Sequence, residues 1–453
     1  MRTLASSLLL LALAHGAAAQ TVALRGGRVL PMDGQDEIAE GTVLVVDGKV
    51  TAVGPVKQVT VPYDATVIDA KGKTIVPGFV LASTPLGLDR ANEGLPVMPF
   101  LEVGDALDAS SLFFEDCLRD GVTTIHVIQG DACLIGGTGR VVRPMGLTPE
   151  QLTVRAPSAL KLSVGGLGGE WDAVRQRARL REAFAELEDW VDATAEKRFD
   201  EEEKKAGREG PVAPDVAREK GRALIRPDDL DDAHRNLYLL TRGQLDAFIY
   251  TGGARDLDYA VAMALELGFL ERTTFVVDGD GWKAADVLAK AGRPAVLASM
   301  LHRETDPLTG KTVETFVPRV FHQAKVPFAL LSDAAGSQGE RYLWWQAARC
   351  VREGLPRAAA LAAVTTTPAT ILGLGERKGS IAVGKDGDLV VLSGDPLSVR
   401  TQVEQVLLEG KLVYERSRDW RLRKLVTGEE TAKPEAPTPG GDEEKKDDEG
   451  EGQ

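Results

Sequence analysis

The stretch Thr74-Ile-Val-Pro-Gly-Phe-Val-Leu-Ala-Ser-Thr-Pro-Leu-Gly87 divides the chain into two kinds of pattern. It is an apolar run of strand length, interrupted at Pro77-Gly78 and ending in Ser83, Thr84 and Pro85. Residues two apart on a strand point to the same side, so Ser83 and Pro85 are the pair that this strand presents at its end. Before it the sequence reads as short strands with turns: residues 22–30, residues 41–54 and residues 65–70, the last ending at Lys71-Gly72-Lys73. Asp47-Gly48, set between two alternating apolar runs, is a hairpin signal.

After the stretch, apolar runs alternate with helical periods, the pattern of β/α units around a parallel sheet. The expected strands are 75–82, 122–128, 223–225, 245–250, 273–277, 294–300 and 326–332; the expected helices include 256–267, 282–291, 313–324 and 340–353. This is most of an eightfold set, so the expected fold is α/β, a (β/α)8 TIM-like barrel with its site on loops at the carboxyl ends of the strands. Short-strand phrases return at residues 379–392 and 406–414. A small β-sandwich built from both ends of the mature chain, residues 20–74 and 376–424, is therefore expected to flank a barrel at 75–375.

The chain has 453 residues, 43% of them hydrophobic, enough for a large core. Residues 1–19 combine Arg2, an apolar run at residues 8–14 and Ala17-Ala18-Ala19, the pattern of a secretory signal peptide. That run is too short for a permanent membrane span, and the mature protein is expected to be periplasmic or secreted. The net charge is -14, and the segment from Glu429 onward, with ten acids against three bases, supplies half of it. Residues 428–453 are expected to form a disordered acidic tail. No basic cluster argues for nucleic acid. Among Cys117, Cys133 and Cys350 one pair could bridge, but so few in so long a chain read rather as three buried thiols. Residues 181–222, rich in Glu, Lys and Arg and broken by Gly and Pro, read as a charged helical excursion from one barrel loop.

The phrase around Pro77-Gly-Phe-Val-Leu-Ala-Ser-Thr-Pro85 resembles the amidohydrolase superfamily sentence in which a His-x-His pair binds the catalytic metal. Asp120-Gly-Val-Thr-Thr124 followed by Gly136-Gly-Thr-Gly139, Thr365-Thr-Thr-Pro-Ala-Thr-Ile-Leu-Gly373 and Gly379-Ser-Ile-Ala-Val-Gly384 are similar to further phrases of that superfamily, in the same order. The nearest resemblance is to imidazolonepropionase-like amidohydrolases, which cleave C–N bonds in cyclic amides and some dipeptide-like substrates. The resemblance implies up to two divalent ions, Zn or Mn, held by His-x-His, by histidines after strands five and six, and by an aspartate after strand eight. Such an ion lowers the pKa of bound water from ~15.7 toward neutrality.

Carried over one residue at a time, the ligands are mostly missing. Ser83 and Pro85 replace His-x-His, the strand-five position falls near Arg226, and the strand-six position falls on Asp278. Asp333 alone keeps its family identity and is the candidate base. Ser83, Arg226 and Asp278 are then expected to line a substrate pocket, with no metal among them. His302 is the histidine best placed to assist; His126 reads as buried, His234 as exposed and His322 as riding a helix. The run Asp278-Gly-Asp-Gly281 leaves room for a weak oxygen-ligated cation with Asp333, or for a turn in which Asp280 caps a helix near Trp282. Lys161 resembles a bridging lysine of some amidohydrolases but is not counted as a ligand.

Two readings follow. In the first, the protein is an exported pseudoenzyme, degenerate in its metal site, that binds a small amide or peptide-like ligand or assembles as a homo-oligomer or with an active relative. In the second, it is an active C–N hydrolase with a remodelled site around Asp333.

Overall fold

The computed structural model describes residues 20–428, apart from Glu170, Glu209, Pro211 and residues 332–341. The leader at 1–19, the tail beyond Gly428 and Asp333 lie outside the described residues. The first strands are β1 (Thr21–Val29), β2 (Ile38–Val46), β3 (Lys49–Pro55), β4 (Thr66–Asp69) and β5 (Thr74–Pro77). Asp47 and Gly48 both have positive φ, 49° and 80°, the conformation a tight hairpin between β2 and β3 requires.

The second half of the opening stretch forms β6 (Phe79–Thr84), followed by β7 (Val122–Val127), β8 (Ile135–Thr138), β9 (Arg140–Val142), β10 (Thr153–Arg155) and β11 (Ala159–Val164). Then come β12 (Asp246–Thr251), β13 (Thr273–Val277), β14 (Ala295–Leu297), the hairpin β15 (Leu301–Thr305) and β16 (Thr312–Phe316), and β17 (Phe328–Leu330). The chain closes with β18 (Leu389–Leu392), β19 (Val403–Leu408) and β20 (Lys411–Glu415).

Both ends of the chain meet in one eight-stranded sheet of order β20-β19-β18-β5-β1-β2-β3, with β4 also beside β1. The seam is antiparallel, Thr74 opposite Leu392 and Pro77 opposite Leu389. The remaining strands form a four-stranded sheet, β10-β9-β7-β6, and a six-stranded sheet, β17-β14-β13-β12-β11-β8. Within these, β6 and β7 run parallel, as do β11, β12, β13, β14 and β17.

The structure differs here from the sequence expectation: ladder pairing among the described residues does not close a barrel. The two sheets are joined in other ways. Residues 135–142 run from β8, beside β11, directly into β9, beside β7. On the far side Val80 N donates to Val364 O at 3.0 Å and Leu330 N to Ala363 O at 3.1 Å, so residues 363–364 lie between β6 and β17.

The period-two alternation of the strands sorts their side chains into two cores. Val80, Ala82, Ile128, Ala159, Phe248, Val276, Val296 and Ala329 pack with one another on one face. Phe79, Leu81, Ile125, Leu160, Leu162, Phe275 and Leu330 pack on the other, with helix residues such as Leu257, Leu288 and Phe321. Strands buried on both faces read as unbroken apolar runs, which is why the sequence shows them as such. Each fully buried Phe or Leu contributes about 1.5–3 kcal/mol.

Three expected elements are different. Residues 223–225 are not a strand: Ala223 and Leu224 complete a 3-10 turn, Arg222–Leu224, and Ile225 follows it. The expected helix 313–324 is divided between β16 and a helix Val317–Gln323, with Pro318 in its first turn. The charged excursion starts earlier than residue 181, in a 33-residue helix Ala173–Lys205 capped by Asp172, which accepts from Arg175 N. At 1.5 Å per residue that helix is about 50 Å long. It buries Leu180, Ala183, Phe184, Leu187, Val191, Ala195 and Phe199, spaced three and four apart. All three cysteines are buried free thiols.

Candidate active site

The carboxyl ends of the parallel strands were the expected place for chemistry, and β6 reaches that end through an irregularity. Leu81 pairs with Ile125, but Thr84 pairs with Val127, so β6 carries one residue more than β7 between the two pairs. Ile125 and Val127 belong to the helix-facing core, and paired neighbours share a side. Thr84 therefore faces the helices, and the inward phase moves from Val80 and Ala82 to Ser83. A bulge of this kind re-aims a side chain. Ser83 is buried at this inward position.

On β11 the inward position is Lys161, opposite the inward Phe248 of β12. Its side chain is 1% exposed, and its Nζ is 2.5 Å from Asp131 Oδ1. The same loop is held by Ser163, whose Oγ donates to Asp131 O at 2.8 Å. Lys161 Nζ also lies 5.8 Å from the ring centre of Tyr250 on β12. The Tyr250 hydroxyl donates to Asp278 Oδ2 at 3.0 Å, just beyond β13. Burial, and then the neighbouring Asp278 carboxylate, hold the Tyr250 phenol well above its usual range, so it stays a donor. The result is a polar row across three adjacent strands: Asp131, Lys161, Tyr250, Asp278.

Of the residues expected at the site, Ser83 and Asp278 lie at the carboxyl ends of their strands. Arg226 does not join them. It is exposed, and its backbone N–H donates to Asp229 Oδ2 at 2.7 Å ahead of a 3-10 turn. Because residues 223–225 are not a strand, the strand between β11 and β13 is β12, and its inward residue is Tyr250. Tyr250 was the last residue of an expected strand, but counting 223–225 as a strand hid its place in the order.

His302 lies on β15 opposite Thr315, with its ring centre 6.1 Å from that of Trp282. Asp280 does not cap a helix near Trp282; its Oδ1 accepts from Ala254 N at 2.9 Å, at the start of helix Ala254–Glu266. His126 is fully buried, its Nδ1 2.9 Å from Ala82 O and its Nε2 2.8 Å from Ser158 Oγ. Burial pushes its pKa down to about 4. His234 packs its ring on Trp190 at 5.0 Å and bonds Asp231, and His322 is exposed on its helix.

The donor chemistry does not fit the divalent ion that the resemblance implies. The inward row contains an ammonium, which repels a cation, and a neutral phenol that already occupies an Asp278 oxygen. Asp280, the other acid of that loop, is committed to a helix end. Among the described residues no group of three or more His, Cys, Asp or Glu side chains is placed to hold a metal ion. No described helix is long and apolar enough to cross a membrane.

Strand order and β/α alternation define an α/β protein with a polar row at the strands' carboxyl ends. Comparison with known proteins makes this specific. The amidohydrolase family profile matches residues 323–414. The amidohydrolase tasK of Hapsidospora irregularis is 25% identical over 418 residues, covering 83% of this chain. The chain spans only 40% of that relative's length. An imidazolonepropionase of Thermoplasma volcanium is 31% identical over 126 residues, 26% of this chain and 31% of that protein. The crystal structure of an amidohydrolase from Thermotoga maritima superposes with a TM-score of 0.70 at 25% identity, covering 87% of this chain and all of the other. Together these similarities support an amidohydrolase superfamily member.

Proposed function

We propose that this chain is an exported amidohydrolase-superfamily pseudoenzyme, in which a buried internal cation has taken the place of the catalytic metal. In this reading the two mixed sheets are the superfamily's (β/α)8 barrel, the sheet shared by both chain ends is its β-sandwich, and the mature protein works in the periplasm or outside the cell. The observation that carries it is Lys161, 1% exposed and paired with Asp131 at 2.5 Å, on the strand beside Tyr250. An ammonium fixed there supplies positive charge without a bound water to activate. Metal-free water keeps its high pKa, and no electrophile polarises an amide, so the hydrolysis of the superfamily loses its nucleophile.

What remains is a row of donors and acceptors suited to a small polar ligand. A cyclic amide or a dipeptide-like molecule presents N–H groups that suit the partly buried Asp278. Assembly with an active relative of the superfamily is the other role that this reading allows.

The test is elemental analysis of protein purified without chelators, together with turnover assays on cyclic amides, acyl amino acids and dipeptides. Zinc and manganese are expected well below one per chain, with no turnover, and thermal-shift titration is expected to find a ligand among those same amides. Stoichiometric zinc or manganese, with hydrolysis abolished by Asp333→Asn, overturns the proposal in favour of an active hydrolase using Asp333.

A further inference from the structure

A cavity lies at the opposite end of the same strands from this polar row. It has a volume of about 700 Å³ and is lined at the amino ends of β12, β13 and β14 by Asp246, Thr274 and Pro294, and by the helix Thr366–Ile371. Three arginines enter it, Arg155, Arg272 and Arg293, against two acids, Asp246 and Glu271.

The charges are not equally engaged. Both oxygens of Asp246 are taken, one by Arg155 at 2.7 Å and the other by Arg272 at 2.7 Å. Arg155 is fixed further by Leu372 O at 2.8 Å, and Gly373 leaves the room for it, since a Cβ there would lie 2.7 Å from Arg155 Nη1. One carboxylate thus neutralises only one of two guanidiniums. Arg293 is held by Thr273 O at 3.2 Å, with its side chain only 16% exposed. Its acidic partner Glu271, at 3.1 Å, is 86% exposed. A pair whose acid is this exposed is weakly held, so Glu271 is readily displaced by another anion. Thr274, Thr366, Thr367 and Thr370 bring hydroxyls to the same walls, and Pro294, Pro327 and Ile371 give them an apolar backing.

We infer that this cleft is a binding site for a small oxyanion, a carboxylate or a phosphate, received between Arg272 and Arg293 in exchange for Glu271. A planar guanidinium fork suits either group, since both offer two oxygens to parallel N–H donors. The inference is independent of the chemistry at the carboxyl ends of the strands.

The probes are inorganic phosphate and succinate, titrated calorimetrically into the mature full chain at fixed ionic strength set with potassium chloride. Arg293→Gln combined with Arg272→Gln is expected to weaken binding at least tenfold. Glu271→Gln, which removes an exposed competing carboxylate and leaves the fold alone, is expected to tighten it several-fold. Arg226→Gln, an exposed arginine elsewhere, is the control for loss of one positive charge away from the cleft and should change nothing. Saturable binding of phosphate alone identifies a phosphate ligand, and of succinate alone a carboxylate ligand; either supports the site. No heat from either anion, or equal affinity in Glu271→Gln and the arginine variants, overturns it.

Discussion

Lys161 and Asp131 form one ion pair, yet their removal should have very different consequences because their surroundings differ. Lys161 is 1% exposed and Asp131 is 44% exposed. Truncating Asp131 strands an ammonium in the interior, and breaking a buried pair in this way costs about 3–5 kcal/mol. Replacing the lysine with an apolar side chain of similar length leaves only a carboxylate that water can reach. Asp131→Ala is therefore expected to lower the unfolding free energy by about 3 kcal/mol, and Lys161→Met by under about 1 kcal/mol, in urea titrations. Equal losses would contradict the assignment of Lys161 as the buried, dependent partner. His126 gives a second expectation. Its folded pKa, about 4, lies below the ordinary 6.5, with burial as the first cause. As pH falls below 6.5 the unfolded chain takes up this proton first, so stability decreases from pH 6.5 down to about 4, by up to about 3 kcal/mol. Asp386, Asp395 and Asp419, with pKa values held below 3.8, lose their contributions only at lower pH. Unfolding titrations at pH 7 and pH 4.5 should show the difference, and His126→Asn should flatten it.

At the scale of elements, the sequence is most legible where local chemistry decides. Asp47-Gly48 makes its hairpin because two successive positive φ values favour those residue types. It is least legible where a short apolar triplet fits strand and turn equally, as at residues 223–225, which complete and follow a 3-10 turn and so displace Arg226 from the expected site. The charged excursion has a similar history: its charge pattern marks a helix, but which helix it packs on depends on tertiary contact. The helix Pro214–Gly221 approaches Ala173–Lys205 so closely that a Cβ at Gly221 would lie 1.9 Å from Ala195 O. Alanine in place of a helical glycine gains about 1 kcal/mol of propensity. The clash is with backbone, which cannot rotate away, and overpacking costs typically 1–3 kcal/mol. Gly221→Ala should thus loosen this helix pair, with hydrogen exchange rising across residues 173–221 and unchanged in β11 to β14. Protection gained there instead would show that the two helices separate at little cost.

At the scale of the whole molecule, the joining of the chain ends is what the opening stretch made visible. The alternation of phrases before and after Thr74 placed short strands at both ends, and β5 and β18 meet along one seam. What the sequence could not show is the charge cluster of this shared sheet, in which Lys49 reaches across 337 residues to Asp386. Lys49, at the start of β3, is 2.5 Å from Asp386, which also receives Arg377 at 3.0 Å and Lys378 at 3.1 Å. Lys378 pairs as well with Asp388, whose other oxygen accepts Glu409 N at 2.8 Å. Lys378, Asp386 and Asp388 have side chains 5%, 1% and 7% exposed, so these three are buried. Lys378→Met leaves Asp386 with two cations but removes the cation paired to Asp388. An uncompensated buried carboxylate should lower stability by about 3–5 kcal/mol, and Asp388→Asn in the same chain should restore part of it. The readout also decides how the molecule unfolds. Of the tryptophans, Trp171, Trp190, Trp282, Trp344 and Trp345 lie between β11 and β18, outside the shared sheet. If that sheet and the rest of the fold are one cooperative unit, tryptophan fluorescence and far-ultraviolet circular dichroism will shift together in Lys378→Met. A fluorescence midpoint that stays in place while the dichroism moves would separate the shared sheet from the parallel strands as an independent unit.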